Sequence, residues 1–178
     1  MAKVKIATCS LAGCFGCHMS FADIDERLLE LAEIADFDRS PFSDVRQVGP
    51  CDLGLVEGGV CNAENVEVLR AFRQNCKLLV AVGACAINGG IPALRNRYEL
   101  GDCLKEAFLI GLGVVDPKIP NDPELPLLLD RVHPIHEVVK VDYSIPGCPP
   151  SAEAIWAALT ALIAGNEPQL PYRLIRYD

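Results

Sequence analysis

The residues best equipped for chemistry are cysteines. Cys14 and Cys17 form a C-x-x-C within Gly13-Cys14-Phe15-Gly16-Cys17-His18, just after a strand-like run and just before a helix-like one. Two more answer from far downstream, Cys85 in Val82-Gly83-Ala84-Cys85 and Cys148 in Ile145-Pro146-Gly147-Cys148-Pro149-Pro150. Each follows an apolar run and sits among Gly or Pro, which puts each thiol on a loop at a strand end. Four thiols at one edge of a sheet are what a [4Fe-4S] cluster needs. A C-x-x-C alone also serves zinc sites and thiol redox pairs. A redox pair, however, leaves Cys85 and Cys148 without a task. Structural zinc usually brings a second C-x-x-C or paired histidines, and the nearby histidines here are His133 and His136, in a Pro-bounded segment that reads as surface.

The other thiols are Cys9, Cys51, Cys61, Cys76 and Cys103. Free cysteine behaves as a small core hydrophobe, the reading for Cys76 and Cys103. Cys9 and Cys61 lie near the cysteine loops, as groups beside the ligands, alternative ligands or core residues. Glu57 ends an apolar run, either as a solvated loop carboxylate or as a group that handles protons or contacts a cluster. His18 directly follows a candidate ligand, where it can donate to a cluster sulfur or across an interface, or simply pack. Gly13, Gly16, Gly83 and Gly147 leave backbone N–H groups free to approach sulfur, and the Pro pair after Cys148 stiffens its loop. Trp156, between Ile155 and Leu159, reads as core or interface packing.

These residues need a scaffold that gathers strand ends. Lys3 to Thr8 is β-branched and apolar, the pattern of a first buried strand. Ser20 is then expected to cap a helix over Phe21 to Ile34, with Ile24, Leu28, Leu31 and Ala35 inward. An edge strand is expected near Val45 to Val48, a buried strand over Asp52 to Glu57, a helix capped by Asn62 through Asn75, and a third buried strand over Lys77 to Val82. Between Asn88 and Pro134 helical pieces are expected near Ala93 to Tyr98 and Asp102 to Ile110, then a Pro-rich surface excursion suited to partners. Val138 to Val141 supplies a last strand, Ser151 opens a helix that closes at Gly165, and Asn166 to Asp178 reads as an arm. Alternating strands and helices predict an α/β fold, a mostly parallel sheet with helices on both faces. Its chemistry collects at the strand C-terminal ends, where Cys14, Cys17, Glu57 and Cys85 fall.

The length of 178 residues, half of them apolar, suits one domain. Nine cysteines without a leader pattern at Met1 to Thr8, and without a twin-arginine start, predict a cytoplasmic protein with reduced thiols. No apolar run approaches the roughly 20 residues of a membrane span. A net charge of -8 with no Lys/Arg cluster argues against nucleic acid.

The set of motifs resembles the small subunits of [NiFe] hydrogenases, and within them the short form of cytoplasmic NAD-reducing enzymes. The matching pieces are Cys14 to Ser20 (CFGCHMS), Val56 to Gly59 (VEGG), Val82 to Ala86 (VGACA) and Pro146 to Ser151 (PGCPPS), in the family's order. The PGCPP block also occurs in the related cluster-bearing subunit of respiratory complex I, but that relative carries adjacent cysteines in its first motif. The resemblance implies a single flavodoxin-like domain, a three-layer sandwich, that binds one [4Fe-4S] cluster through Cys14, Cys17, Cys85 and Cys148. It implies a large subunit carrying the Ni-Fe site, and a diaphorase with FMN and iron-sulfur clusters that reduces NAD+. Most members of the wider family continue into a second cluster domain; with no cysteine beyond Cys148, electrons are expected to leave the one cluster directly to another protein. Many respiratory members carry a glutamate just after the second cysteine, where His18-Met19 stand here, so no proton route through that carboxylate is implied.

Beside the bland reading of a structural scaffold with incidental thiols, two others remain. One is a hydrogenase-like or complex I-like assembly with a different acceptor. The other is an FMN-binding module, since flavodoxin-like folds hold FMN phosphate in the loop that here spans Thr8 to Gly13.

Overall fold

A computed structural model describes residues 3–175 of the chain. Five strands form one parallel sheet in the order β2-β1-β3-β5-β7: β1 Val4–Ser10, β2 Ala35–Phe37, β3 Cys51–Glu57, β5 Cys76–Val82 and β7 Tyr143–Ile145. This is the flavodoxin-like order. The three central strands each bury four or more consecutive residues, as a strand covered on both faces must. Alternate residues feed two cores. Ile6, Leu55, Val80 and Ile145 pack with Ile24, Leu31, Ile155 and Leu159 on one face; Ala7, Val56 and Leu79 pack with Leu69, Phe72 and Ile135 on the other.

The first face is covered by α1 Gly16–Ala22, α2 Arg27–Ile34 and α6 Ala152–Ile163, the second by α3 Ala63–Asn75. The Asn62 side chain accepts from Asn65 N and the Ser151 side chain from Ala154 N, so both expected caps form. Gly165 takes the left-handed turn that ends α6 (φ 76°). Cys85 lies on a short helix α4, Gly83–Asn88.

Several expectations are corrected. The expected single helix over Phe21 to Ile34 is two: α1 begins at Gly16, and Asp25, with positive φ (56°), breaks the chain before α2. Ser20 is therefore buried inside α1 rather than capping, and its hydroxyl donates to Pro150 O. No strand forms over Val45 to Val48; the edge strand is β2. Val138 to Val141 is not a strand either, because Ile135–Glu137 takes a 3-10 turn and Asp142 turns the chain into β7. Cys76 is not a free core thiol: it pairs in register with Cys51 across β3 and β5 and the two form a disulfide, so the expectation of reduced thiols fails for this pair.

The stretch between Asn88 and Pro134 holds a 3-10 turn Pro92–Arg97, helix α5 Leu100–Lys105 continued by a π-helical turn Glu106–Ile110, and an exposed irregular run. It returns as β6 Leu128–His133, antiparallel to β4 Val60–Asn62, a ribbon that the sequence pattern does not suggest. Of the terminal arm, Leu174 packs into the first core, and residues 176–178 lie outside the described part.

Candidate metal centre

The C-terminal ends of four neighbouring strands carry the candidate residues. β1 leads into Cys14 and Cys17, β3 ends at Glu57, β5 leads into Cys85 and β7 into Cys148. Because these strands are parallel and adjacent, all four loops leave the same edge. Backbone bonds tie the loops together. Ala12 and Gly59 exchange N–H···O bonds at 2.9 and 2.8 Å, and Ala84 N donates to Gly147 O at 2.8 Å. The Ser20 bond to Pro150 O joins α1 to the Cys148 loop.

Glycine lets the loops close on sulfur. At Gly83 (φ 81°) a side chain would collide with Cys17 Sγ, and at Gly16 a Cβ would lie 3.2 Å from Cys14 Sγ. Gly147 (φ 147°) takes a backbone conformation that side chains rarely adopt. Gly90 plays the same part for Cys85, since a Cβ there would sit 2.8 Å from its sulfur. Gly90 is not among the expected residues; its signal in the sequence is the Gly89-Gly90 pair that follows a candidate ligand within one short helix.

Cys14 and Cys148 are exposed, Cys17 and Cys85 half-buried. They act on one another. Burial, then the neighbouring Glu57 carboxylate and the charges of Cys85 and Cys14, push the Cys17 thiol well above its ordinary value. Burial, with Cys148, Cys14 and Glu57, pushes Cys85 up as well. Cys17 and Cys85 therefore resist ionisation until a cation compensates them, which is how metal binding deprotonates thiols. Among the described residues no three His, Cys, Asp or Glu side chains are close enough to hold a single ion. Four soft thiol donors on loops at one edge of the sheet, three of them packed against glycines, fit an iron-sulfur cluster.

Glu57 is no solvated loop carboxylate: it is 3% exposed. Oε2 accepts from Cys17 N at 3.0 Å, and Oε1 lies 2.7 Å from Nδ1 of buried His18. Burial raises its pKa, but hydrogen bonds and charge from His18, and further bonds from Ser10 and Cys17, outweigh it and hold the carboxyl below its ordinary value. His18 Nε2 meets Thr8 Oγ1 at 2.9 Å, and the ring stacks on Phe15 with centroids 4.8 Å apart. His18 thus faces a carboxylate and a hydroxyl, not a sulfur.

The remaining candidates lie elsewhere. Cys61 stands on β4, its thiol 3.3 Å from Asn65 Oδ1. Cys9 is buried in the second core, where burial above all pushes it up to about 12. His133 bonds Glu137 at 2.6 Å on the surface. Trp156 lies under Arg27, its ring centroid 5.2 Å from the guanidinium carbon.

Residues 14–162 match the family described as NADH ubiquinone oxidoreductase, 20 Kd subunit. The chain is 47% identical over 180 residues to the NAD-reducing hydrogenase HoxS subunit delta of Cupriavidus necator, across 99% of this chain and 86% of that one. It is 38% identical over 174 residues to a subunit of the F420-non-reducing hydrogenase of Methanothermobacter thermautotrophicus, spanning 95% of this chain but 56% of that relative. A crystal structure of an NAD+-reducing [NiFe]-hydrogenase in the H2-reduced state contains a chain 62% identical to this one, with a TM-score of 0.97 over 99% of this chain and 100% of that one. A [NiFeSe]-hydrogenase of Dm. baculatum, 17% identical with a TM-score of 0.58, shares the fold.

Proposed function

This chain belongs to the NADH ubiquinone oxidoreductase, 20 Kd subunit, family, and from that premise we propose that it is the electron-transfer small subunit of a NAD-reducing [NiFe] hydrogenase. Cys14, Cys17, Cys85 and Cys148 would hold one [4Fe-4S] cluster. When bound, such a cluster supplies reversible one-electron transfer. The partners are a large subunit that carries the Ni-Fe site and a diaphorase, with FMN and iron-sulfur clusters, that reduces NAD+. The setting is the cytoplasm.

The observation that carries this reading is the delivery of the four cysteines and Glu57 from the C-terminal ends of four adjacent parallel strands. The chain's own residues do three things there. Gly16, Gly83 and Gly90 leave the room that the sulfurs need, and Gly147 leaves room for the Pro149-Pro150 backbone. Leu55, Val82 and Ile145, at the ends of β3, β5 and β7, give the half-buried Cys17 an apolar surrounding. Glu57 holds the Cys17 amide and so the turn that presents Cys17. The FMN-module alternative is not favoured, because the Thr8–Gly13 segment that would cradle a phosphate is β1 as far as Ser10, is then tied to Gly59 through Ala12, and runs into the Cys14–Cys17 turn, with Phe15 in the left-handed region (φ 67°).

The test is iron and acid-labile sulfide content, with low-temperature EPR after reduction, on the complex purified anaerobically. About four iron and four sulfide per chain beyond the partners' own are expected. Cys148→Ala is expected to abolish the cluster signal and H2-dependent NAD+ reduction together. Zinc in place of iron, or full activity without that thiol, would sink the assignment.

A further inference from the structure

Behind the cysteine edge runs a buried line of polar groups that the ligand set does not need. It starts at the Cys17 amide, which donates to Glu57 Oε2 at 3.0 Å. Glu57 Oε1 is 2.7 Å from His18 Nδ1, and His18 Nε2 is 2.9 Å from Thr8 Oγ1. Thr8 Oγ1 and Ser40 Oγ lie 3.0 Å apart, so that with the Thr8 hydroxyl donating to His18 Nε2 the Ser40 hydroxyl donates to Thr8 Oγ1, and Ser40 Oγ accepts from Phe42 N at 3.3 Å. Thr8, His18, Ser40 and Glu57 are each less than one-tenth exposed. In the interior of an apolar sheet such groups are costly unless every one is satisfied, and here each is.

The line has one mechanical consequence. A carboxylate has no hydrogen to give, so His18 Nδ1–H donates to Glu57 and fixes where Oε1 lies. The plane of the imidazole is fixed in turn by Phe15 stacked on its face and by Thr8 at its far nitrogen. Thr8 sits on β1, whose backbone the sheet holds, while its own N–H donates to Arg39 O at 2.7 Å and its hydroxyl is anchored by Ser40. The Cys17 turn is thereby referenced to the sheet through side chains rather than through its own short helix.

We propose that Thr8 and Ser40 are positioning residues for the metal centre: through His18 they hold the Glu57 carboxylate on the Cys17 amide, and so set the reduction potential of a cluster bound at Cys17. The inference rests on the cluster reading above. Hydrogen bonds to cluster sulfurs and nearby charge are the protein's means of tuning such a potential. An amide committed to Glu57 is withheld from sulfur, and the carboxylate itself disfavours the added electron. Loosening the line therefore raises the potential.

The test compares Thr8→Val, which keeps shape and removes the hydroxyl, with Thr8→Ser, which restores it, both in the purified complex. Two quantities are read: the cluster's reduction equilibrium by EPR-monitored titration, and amide hydrogen exchange at Cys17. Thr8→Val is expected to favour the reduced cluster at least threefold and to speed Cys17 exchange about tenfold, with Thr8→Ser near the parent on both. Unchanged potential and exchange in Thr8→Val at full iron content overturn the proposal. Should Thr8→Val lose its cluster, Ser40→Ala is read by the same two measurements under the same criterion. A parent complex without iron would overturn the cluster reading instead, while the exchange arm still decides whether Thr8 positions Cys17.

Discussion

The two edges of the sheet each carry a carboxylate bonded to a basic side chain, and they use it differently. At the N-terminal edge Arg73 Nη1 meets Asp142 Oδ2 at 2.6 Å, and the same guanidinium donates to Cys76 O and Lys77 O at 2.7 and 2.8 Å. Asp142 also accepts from Leu79 N at 2.9 Å. Every one of these bonds closes a joint between α3, β5 and the start of β7. At the C-terminal edge Glu57 and His18 are more deeply buried, with side chains 4% and 6% exposed against 14% and 23% for Asp142 and Arg73. There the carboxylate holds a loop amide beside four unpaired thiols. One pair serves the scaffold; the other serves the arrangement of a site, at a place where glycine and left-handed backbone have replaced packing.

The sharpest way to break this contrast is to add bulk at the cysteine edge. Gly83→Ala places a methyl group against Cys17 Sγ at a residue with φ 81°. Left-handed backbone alone costs a side chain about 1–2 kcal/mol, and the collision adds to it. The expected outcome is loss of most bound iron with a lowered Tm, read by iron content and calorimetry. Wild-type iron and Tm in Gly83→Ala would mean that the edge is less tightly built than its geometry implies.

The second test exchanges charges for amides at both edges. Asp142→Asn is expected to cost about 1.5–3 kcal/mol, the range for hydrogen bonds to charged groups, with no change in the cluster's EPR spectrum. Glu57→Gln is expected to shift that spectrum and raise the cluster potential whatever it does to stability. If Asp142→Asn moved the spectrum as far as Glu57→Gln, the division between the edges would fail.

The same joint predicts a pH dependence. Burial raises the Asp142 carboxyl, but the bonds from Arg73, Leu79 N and Lys140 outweigh it and lower its pKa in the folded state. Stability from this group is therefore complete above the unfolded value of about 3.9 and is lost as pH falls through the lower folded value. The stability gap between the parent and Asp142→Asn should be constant from neutral pH down to about 5 and close below about 4, measured by denaturant unfolding across pH. A gap that persisted below that range would assign the effect to packing rather than charge.

The difference between the edges also explains what could be read in advance. Buried strands announce themselves by continuous apolar runs, so β1, β3 and β5 were legible, and with them the loops that carry Cys14, Cys17, Glu57 and Cys85. Caps at Asn62 and Ser151 were legible because they are local. The β4–β6 ribbon was not, because its two strands lie more than sixty residues apart and pairing at that range leaves no periodicity. Asp25 breaks the expected helix with a backbone conformation that composition does not encode. Glu57 could be placed at a strand end, yet its partners come from Cys17 and His18 on another strand's loop. Thr8 reads as the end of the first strand and nothing in the pattern marks Ser40; only the fold brings them to the far side of His18.

The smallest effect is expected on the rim of the N-terminal edge. Lys77 Nζ meets Asp52 Oδ1 at 2.7 Å, but the lysine side chain is 80% exposed, and Asp52 also accepts from Lys5 N at 2.9 Å. The Lys77 bond, followed by that from Lys5 N, holds Asp52 below its ordinary value even though burial opposes it. An exposed pair gains little, because water screens it and two side chains must be held still; about 0.2–1 kcal/mol is typical. Lys77→Ala should therefore lower stability by no more than about 1 kcal/mol, and the loss should shrink as salt is raised toward 1 M, where screening acts over about 3 Å. Urea unfolding at low and high salt reads both. A larger, salt-independent loss would show that the lysine stem packs on β3 and contributes to the sheet as Arg73 does, moving the boundary between scaffold and rim outward by one residue.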